Sequence, residues 1–249
     1  MREVMDKLYI VMPAYNEAET IGNTINDWYP VIEKYSANGE SRLLVIDDGS
    51  KDNTYHILCE MTKHFPLLRA ITKKNEGHGA TLLYGYHYAI QQGADYIFQT
   101  DSDGQTNPEE FHVFWNKRHS YDMVIGYRNK RQDGLARILV TKILRLVISI
   151  CFGVWVKDAN TPFRLMKVST LKEEMQLIPE KFNLTNVLIA VIYEKKKKKI
   201  LYLPITFRPR QGGTNSIHMK KICSIGLDAI KDFAVINKSL REVIQKNEY

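Results

Sequence analysis

Two aspartates one residue apart, Asp101 and Asp103 in Gln99-Thr100-Asp101-Ser102-Asp103-Gly104-Gln105, close an apolar run. Carboxylates so spaced at a strand end can converge on one hard cation. Magnesium or manganese, held by one or two carboxylates and by substrate phosphates, neutralises a diphosphate leaving group. The triplet alone carries little, because Asp-Ser-Asp-Gly also makes a good turn. It gains weight from a second acidic cluster, Val45-Ile46-Asp47-Asp48-Gly49-Ser50-Lys51-Asp52, which also follows an apolar run. Gly49 allows close backbone approach there, and the acids can bind ribose hydroxyls or base edges. Ser50 or Asp52 can equally cap the helix that follows, and both readings can hold at once.

The elements that must position these acids are legible as alternating periods. Short apolar runs at Leu8 to Met12, Leu43 to Ile46, Leu68 to Thr72, Tyr96 to Thr100 and Met123 to Ile125 alternate with helical patterns. The helices are expected from about Ala18 to Tyr35, Thr54 to Phe65, Thr81 to Gln92 and Pro108 to His119. Such alternation predicts βαβ units in an open, mostly parallel sheet with helices on both faces. Ligands of such sheets sit beyond the carboxyl ends of the strands. Pro13 to Glu17, Asp47 to Asp52 and Asp101 to Gln105 each follow a strand directly, so strand-end loops are expected to build one site.

From Leu135 to Lys157 the pattern changes. Apolar stretches broken by Arg137, Lys142 and Arg145 run on uninterrupted from Leu146 to Val156. A bilayer span needs about 20 apolar residues, so this segment predicts amphipathic helices, about 135–157, lying in a membrane interface or packed in the core. A weaker signal follows at Pro204 to Ser216, a strand running into a basic, glycine-rich loop, and 217–249 is expected to form a helical tail packed on the domain or extending from it.

The ordered motifs resemble inverting glycosyltransferases of family two with the GT-A fold, in particular the dolichyl-phosphate mannose synthase-like branch. Val11-Met12-Pro13-Ala14-Tyr15-Asn16-Glu17 looks like the opening PAYNE motif, and Asp47-Asp48-Gly49-Ser50 with Asp52 and Thr54 resembles DDGSxDxT. Asn75-Glu76-Gly77-His78-Gly79-Ala80 looks like the NxGxGxA turn, while Asp101, Asp103 and Gln105 match the metal motif. Ile125-Gly126-Tyr127-Arg128 resembles the GxR strand end, Arg137 the arginine opening the next helix, and Asp158 with Phe163-Arg164 the DxxSGFR element. The resemblance spans roughly residues 8 to 216 and implies a single nucleotide-binding, Rossmann-like GT-A domain over residues 1–216.

The resemblance also implies roles. Pro13, Tyr15, Glu17 and Asp48 would line the nucleoside pocket, with Gly79, Asp101 and Arg210 also on the donor. Asp101, Asp103 and Gln105 would bind Mg2+ or Mn2+ and the donor diphosphate, and Arg128 and Arg137 would hold an acceptor phosphate. Cations there offset the repulsion between a phosphate nucleophile and an anionic donor, and the planar fork of arginine suits phosphate. Surface salt bridging is the alternative for both arginines, and headgroup contact a further one for Arg137. Asp158, counted with Asp103 as catalytic, stays open. With a phosphate acceptor it would orient an arginine or the metal shell, and with a sugar hydroxyl acceptor it would be the general base. The implied reaction is transfer from a UDP- or GDP-linked sugar to a polyprenyl (undecaprenyl or dolichyl) phosphate, by a protein lying peripherally on the cytoplasmic face of a membrane. The alternatives are transfer to a saccharide hydroxyl, and a non-catalytic nucleotide-binding module that docks on membranes.

Departures cluster toward the acceptor end. Asn160-Thr161-Pro162 replaces TSG, Phe182 to Asn186 lacks the glutamate often found after the phenylalanine, and Asn215 and Ser216 stand where serine and lysine are usual, with Lys220 as a substitute.

Bulk properties set outer bounds. At 249 residues with 44% hydrophobic and 25% charged side chains, the chain suits one ordinary globular domain and excludes fibre and disorder classes. Cys59, Cys151 and Cys223 are scattered, which suggests neither a disulfide framework nor a zinc site and fits a reducing compartment. No export signal is read at the N-terminus. A net charge of +7 favours anionic partners. The basic residues gather late, in Lys195 to Lys199 and Lys220 to Lys221, so no uniform nucleic-acid-binding face is expected, and the five-lysine run reads as a solvated turn. Association into a homo-oligomer is left open.

Overall fold

The computed structural model describes residues 6–36, 38–128, 135–180 and 182–208, together with 233, 236–238, 240 and 242; side chains of the helix that begins at Leu135 are described from Lys142 onward. The strands are β1 Leu8–Ala14, β2 Arg42–Asp47, β3 Leu68–Thr72, β4 Tyr96–Gln99, β5 Met123–Arg128, β6 Arg164–Lys167 and β7 Ile200–Ile205. The α-helices are α1 Ile21–Lys34, α2 Thr54–Thr62, α3 His78–Gln91, α4 Phe111–Trp115, α5 Leu135–Phe152, α6 Val168–Glu174 and α7 Thr185–Lys195.

The seven strands form one sheet in the order β3-β2-β1-β4-β6-β5-β7. All neighbours pair parallel except β6, which runs antiparallel to both β4 and β5. The chain winds outward from β1 through β2 to β3, then returns to place β4 on the other side of β1. In sheets wound this way the ligand crevice lies where the winding reverses, here at the carboxyl ends of β1 and β4. This is the α/β, mostly parallel architecture expected of a GT-A fold.

Strand side chains alternate between two apolar layers, as a period of two requires. Tyr9, Val11, Leu44, Ile46, Ile97 and Ile125 join α3, α5, α6 and α7 on one face. Leu8, Ile10, Met12, Leu43, Val45 and Phe98 meet α1 and α4 on the other. Both faces are covered, which is why these strands read as nearly continuous apolar runs.

Three details differ from expectation. Strand β6, Arg164-Leu165-Met166-Lys167, emerges from the irregular segment after α5 with only two apolar residues between charges, so no apolar run marks it. The helical region about 135–157 is one helix that stops at Phe152, where Gly153 adopts φ of +70°, a left-handed termination open to glycine without strain. The lysine run does turn from α7 into β7, yet it is not merely solvated: Lys196 pairs at 2.7 Å with the fully buried Glu174, Lys198 lies 3.3 Å from the same carboxylate, and the Lys195 ammonium donates to the Phe152 carbonyl at the end of α5. Of the tail, Phe233, Ile236 and Leu240 are buried and the Phe233 ring lies against Phe152 and Phe182; the expected boundary at 216/217 lies outside the described residues.

Candidate active site

The loops after β1 and β2 are stitched together by polar side chains. Asn16, held at φ of +55°, donates its N–H to Ser50 Oγ at 2.9 Å, and its own Oδ1 accepts from Lys51 N–H at 2.8 Å. The Glu17 N–H donates to Thr54 Oγ1, and that of Ala18 to Asp52 Oδ2. Burial alone would raise the Asp52 carboxyl, but hydrogen bonds from Thr54 and Ala18 outweigh it and hold the group below its ordinary value. Ser50, Asp52 and Thr54 are therefore fasteners that fix the first loop. Buried Pro13 and half-buried Tyr15 lie along it, and Glu17 turns toward the start of α1, where its Oε2 accepts from Thr20 Oγ1 at 2.8 Å.

Asp48 is buried and well provided with donors. Its Oδ1 accepts from Lys73 Nζ at 2.7 Å and from the Glu76 N–H at 3.0 Å, and its Oδ2 from the Gly77 N–H at 2.9 Å. Asn75 Nδ2 reaches the Asp48 carbonyl, and a Cβ on Gly49 would fall 2.9 Å from the Asn75 nitrogen, so the acidic turn and the 73–77 segment close on one another. A carboxylate offers about four acceptor positions, and three are taken here by the described residues. One remains on Oδ2.

The metal motif leaves β4 with the Thr100 N–H still bonded to β1 through the Val11 carbonyl, and the Ser102 carbonyl is fastened by Thr24 of α1. Asp103 Oδ1 accepts from the Gln105 N–H at 3.1 Å. Gln105 gives its amide nitrogen to the Arg208 carbonyl at 3.0 Å, which leaves its Oε1 in the acceptor role. Asp101, Asp103 and Gln105 thus offer hard oxygen donors from one short loop, a set that fits magnesium or manganese. Among the described residues no three His, Cys, Asp or Glu groups converge tightly enough to cage a cation. The arrangement suits an ion shared with substrate phosphate oxygens.

His78, the first residue of α3, was given no separate role by the sequence. Its Nε2 stands 4.0 Å from Asp101 Oδ1. About half of its side-chain surface is exposed, yet the protein packed around the ring, with Arg164 adding to it, pushes its pKa down to about 4 against the opposing pull of Asp48 and Asp103. The residue that could have been noticed is the one non-glycine between Gly77 and Gly79 at a helix start. Gly79 itself has a packing reason: a Cβ there would lie 2.1 Å from the Phe182 carbonyl, and its own carbonyl accepts from Thr185 Oγ1. Its place is the seam between α3 and the 182–185 segment.

On the other side of the crevice, Arg128 and Asp158 are brought together. Arg128 Nε donates to Asp158 Oδ2 at 2.9 Å and Nη2 to Oδ1 at 2.8 Å, in a nearly enclosed fork, while the guanidinium also lies 5.2 Å from the centre of the Phe207 ring. Arg137 sits on the first turn of α5, with its side chain outside the described part, and Arg210, with Lys220, also lies outside the described residues.

Comparison with known proteins gives the family and the fold. The sequence model described as Glycosyl transferase family 2 matches residues 9–174. The UDP-N-acetylglucosamine–dolichyl-phosphate N-acetylglucosaminyltransferase of Methanococcus voltae is 27% identical over 221 residues, covering 80% of this chain and 85% of that one. Among solved structures, glucosyl-3-phosphoglycerate synthase from Mycobacterium tuberculosis in complex with Mn2+, UDP-glucose and phosphoglyceric acid superposes with a TM-score of 0.69, at 16% identity, over 94% of this chain and 80% of that chain. The same enzyme with UDP alone gives 0.64 over the same shares. At that identity the likeness is one of fold.

Proposed function

The chain belongs to glycosyl transferase family 2 and is a glycosyltransferase, and from that premise we propose that it transfers a sugar, with inversion and with Mg2+ or Mn2+, from a UDP-sugar to a polyprenyl phosphate at the cytoplasmic face of a membrane. The observation that carries the acceptor is the Arg128–Asp158 fork. A general base must present a lone pair to the acceptor proton, whereas the Asp158 carboxylate, only 7% exposed, is turned with both oxygens onto one guanidinium and so serves to aim that cation. A phosphate acceptor needs no such base, because its second ionisation is about 6. Arg128 spends two N–H groups on Asp158 and keeps the rest of its fork for an anion. The Methanococcus voltae relative, named for a dolichyl-phosphate acceptor, supports the same choice.

The base of the donor follows from the acceptor position left on Asp48. Uracil presents a single imide N–H on its pairing edge, whereas guanine presents two adjacent donors and asks for both oxygens of a carboxylate. One remaining position on Oδ2 favours uridine, as the relative's UDP-linked donor also does.

In the proposed reaction an acceptor phosphate oxygen attacks the anomeric carbon in line, the bond from that carbon to the diphosphate oxygen breaks, and UDP departs with the electron pair. Asp101, Asp103 and Gln105 would hold the cation, whose charge offsets that developing on the diphosphate. Arg128, aligned by Asp158, would hold the nucleophile against an anionic donor. Tyr15 and Asp48 would seat the nucleoside, and neutral His78 would face the diphosphate beside Asp101. Arg137 and Arg210 keep the acceptor and donor roles that the resemblance implies.

Peripheral membrane association is supported by α5. Among the described residues no helix is long and apolar enough to cross a membrane. Ile143, Leu146 and Ile150, at helical spacing, are 51%, 57% and 74% exposed and Trp155 63%, with the cations Lys142, Arg145 and Lys157 beside them.

A donor screen tests the reading. Purified protein with Mn2+ or Mg2+, UDP- and GDP-sugars and a short polyprenyl phosphate should give organic-extractable labelled sugar from a UDP donor. Asp103→Ala should abolish that metal-dependent product while the protein stays folded. Donor hydrolysis without lipid product would transfer belief to a saccharide hydroxyl.

A further inference from the structure

Among the described residues Arg164 is the one buried arginine, and no step above uses it. It opens β6 in register with Gln99 of β4 and Ile125 of β5, so it enters the sheet between the strand ends that carry Asp101 and Arg128. Its side chain is fully buried. Its guanidinium donates to the Ala159 and Thr161 carbonyls, directly after Asp158, and to the Asn186 carbonyl on the first turn of α7.

Such a group costs several kcal/mol to bury, and apolar replacements of buried charges are often as stable or more so. Stability alone therefore does not ask for it. The layer around it is also polar: Tyr86 donates to Gln99 Oε1 at 2.8 Å, while Gln99 Nε2, Thr161 Oγ1 and Asn186 Oδ1 are buried without a hydrogen-bond partner among the described residues. Both Asp101 and Asp158 fall within the field of this cation.

The three carbonyls explain the geometry. Holding Ala159 and Thr161 fixes the strand of chain that presents Asp158, which in turn aims Arg128. Holding Asn186 fixes the start of α7, where Thr185 grips Gly79 next to His78 and the metal motif. One fork thus spans both sides of the crevice.

We propose that Arg164 is a positioning residue that sets the Asp158–Arg128 pair at a fixed place relative to the donor loop of Asp101 and the start of α3. The proposal rests on the transfer reaction proposed above, and lysine would keep its charge while losing the fork that reaches three carbonyls at once.

The test compares Arg164→Lys and Arg164→Met with the wild-type chain, each alone and combined with Asp158→Asn. Thermal unfolding, calorimetric affinity for UDP with Mn2+, and steady-state kinetics with a short polyprenyl phosphate are measured. Arg164→Lys should keep UDP affinity within about twofold and lower kcat/KM for the acceptor by about 100-fold, the penalty of an ångström-scale misplacement, with acceptor KM rising. Its combination with Asp158→Asn should cost little more than either alone, because both act through one pair. Should the lysine variant fail to fold, the methionine variant carries the same comparisons. Additive losses, or acceptor KM unchanged while UDP affinity and thermal stability fall together, would overturn the proposal and leave Arg164 a purely structural residue. If the wild type glycosylates no lipid phosphate, the acceptor reading is at fault, and the same cycle is read from UDP-sugar hydrolysis, where non-additivity upholds the positioning role and additivity ends it.

Discussion

Asp158 turns both carboxylate oxygens onto Arg128, and under the proposed function this pairing bears on two chemistries that a sequence leaves open. The two residues stand thirty positions apart, and neither their types nor their spacing says that they touch; the sequence could offer each a role but not the bond between them. Under the proposed function Asp158→Asn removes one arm of the fork and lets Arg128 drift. The expected loss in kcat/KM for the acceptor is about 10- to 100-fold. The ascending limb of the pH–rate profile should stay where the acceptor's own ionisation, about 6, places it. Disappearance of that limb in the asparagine variant would make Asp158 the base and favour a hydroxyl acceptor. His78 offers a second residue-scale prediction. Its pKa, pushed below the ordinary 6.5 to about 4 by the packing around the ring, means that the fold favours the neutral imidazole. Any stability it contributes is complete above about 6.5 and is lost as the pH falls toward 4. Its ring resonances in an NMR titration should stay flat from pH 8 to about 5.5, where a free histidine would already have moved; an ordinary midpoint would show that the cleft is wetter than its packing implies.

At the scale of elements, legibility followed period and length. Strand β3 falls at its expected bounds because an apolar run between polar turns admits one reading, and the acid clusters lie at the strand ends that the alternation predicts. Strand β6 escaped because Arg164-Leu165-Met166-Lys167 sets only two apolar residues between charges, so it shows no apolar run, and its antiparallel course follows from α5 and the irregular segment after it. The packing at Gly79 escaped for a different cause: a glycine in a helix's first turn announces permissiveness, not which segment approaches it. With the Phe182 carbonyl 2.1 Å from where a Cβ would stand, Gly79→Ala must part α3 from the 182–185 segment. Overpacking of this kind costs about 1–3 kcal/mol, to be read as a lower urea midpoint with an unchanged slope. A midpoint equal to the wild type's would mean that the seam opens freely. Because the same seam carries His78 toward Asp101, UDP–Mn2+ affinity should fall in the same variant. The lysine run makes the complementary point. A sequence shows five cations in a turn, while the fold supplies Glu174, an anion with no exposure, that makes Lys196 and Lys198 necessary where they stand.

Across the whole molecule, the crevice and the exposed face of α5 have to work together if the acceptor is a lipid. Helix α5 and the segment after it join β5, which ends at Arg128, to the loop that presents Asp158, so the chain itself links the apolar stripe to the proposed acceptor side. The stripe has the composition of an interfacial helix. Ile143, Leu146 and Ile150 are open to solvent, Trp155 is exposed with the Arg145 guanidinium 5.4 Å from its ring centre, and the Lys157 ammonium stands 3.6 Å from the centre of the Tyr127 ring, one residue before Arg128. Apolar side chains would enter the acyl boundary while the cations meet anionic headgroups, each basic residue near such a surface contributing about 1 kcal/mol. Ile150→Glu, at the most exposed position of the stripe, places a carboxylate where the membrane would be and touches nothing in the core. Its effect on folding should stay within about 0.5 kcal/mol. Its binding to vesicles containing phosphatidylglycerol, followed by co-sedimentation at low and high salt, should fall at least about tenfold, a loss of roughly 1.4 kcal/mol, and transfer to a long-chain polyprenyl phosphate in those vesicles should fall with it. Transfer to a short-chain acceptor in detergent should not change, because the crevice is untouched. Equal vesicle binding by the glutamate variant would remove α5 from the membrane and leave the lipid to reach Arg128 by another face.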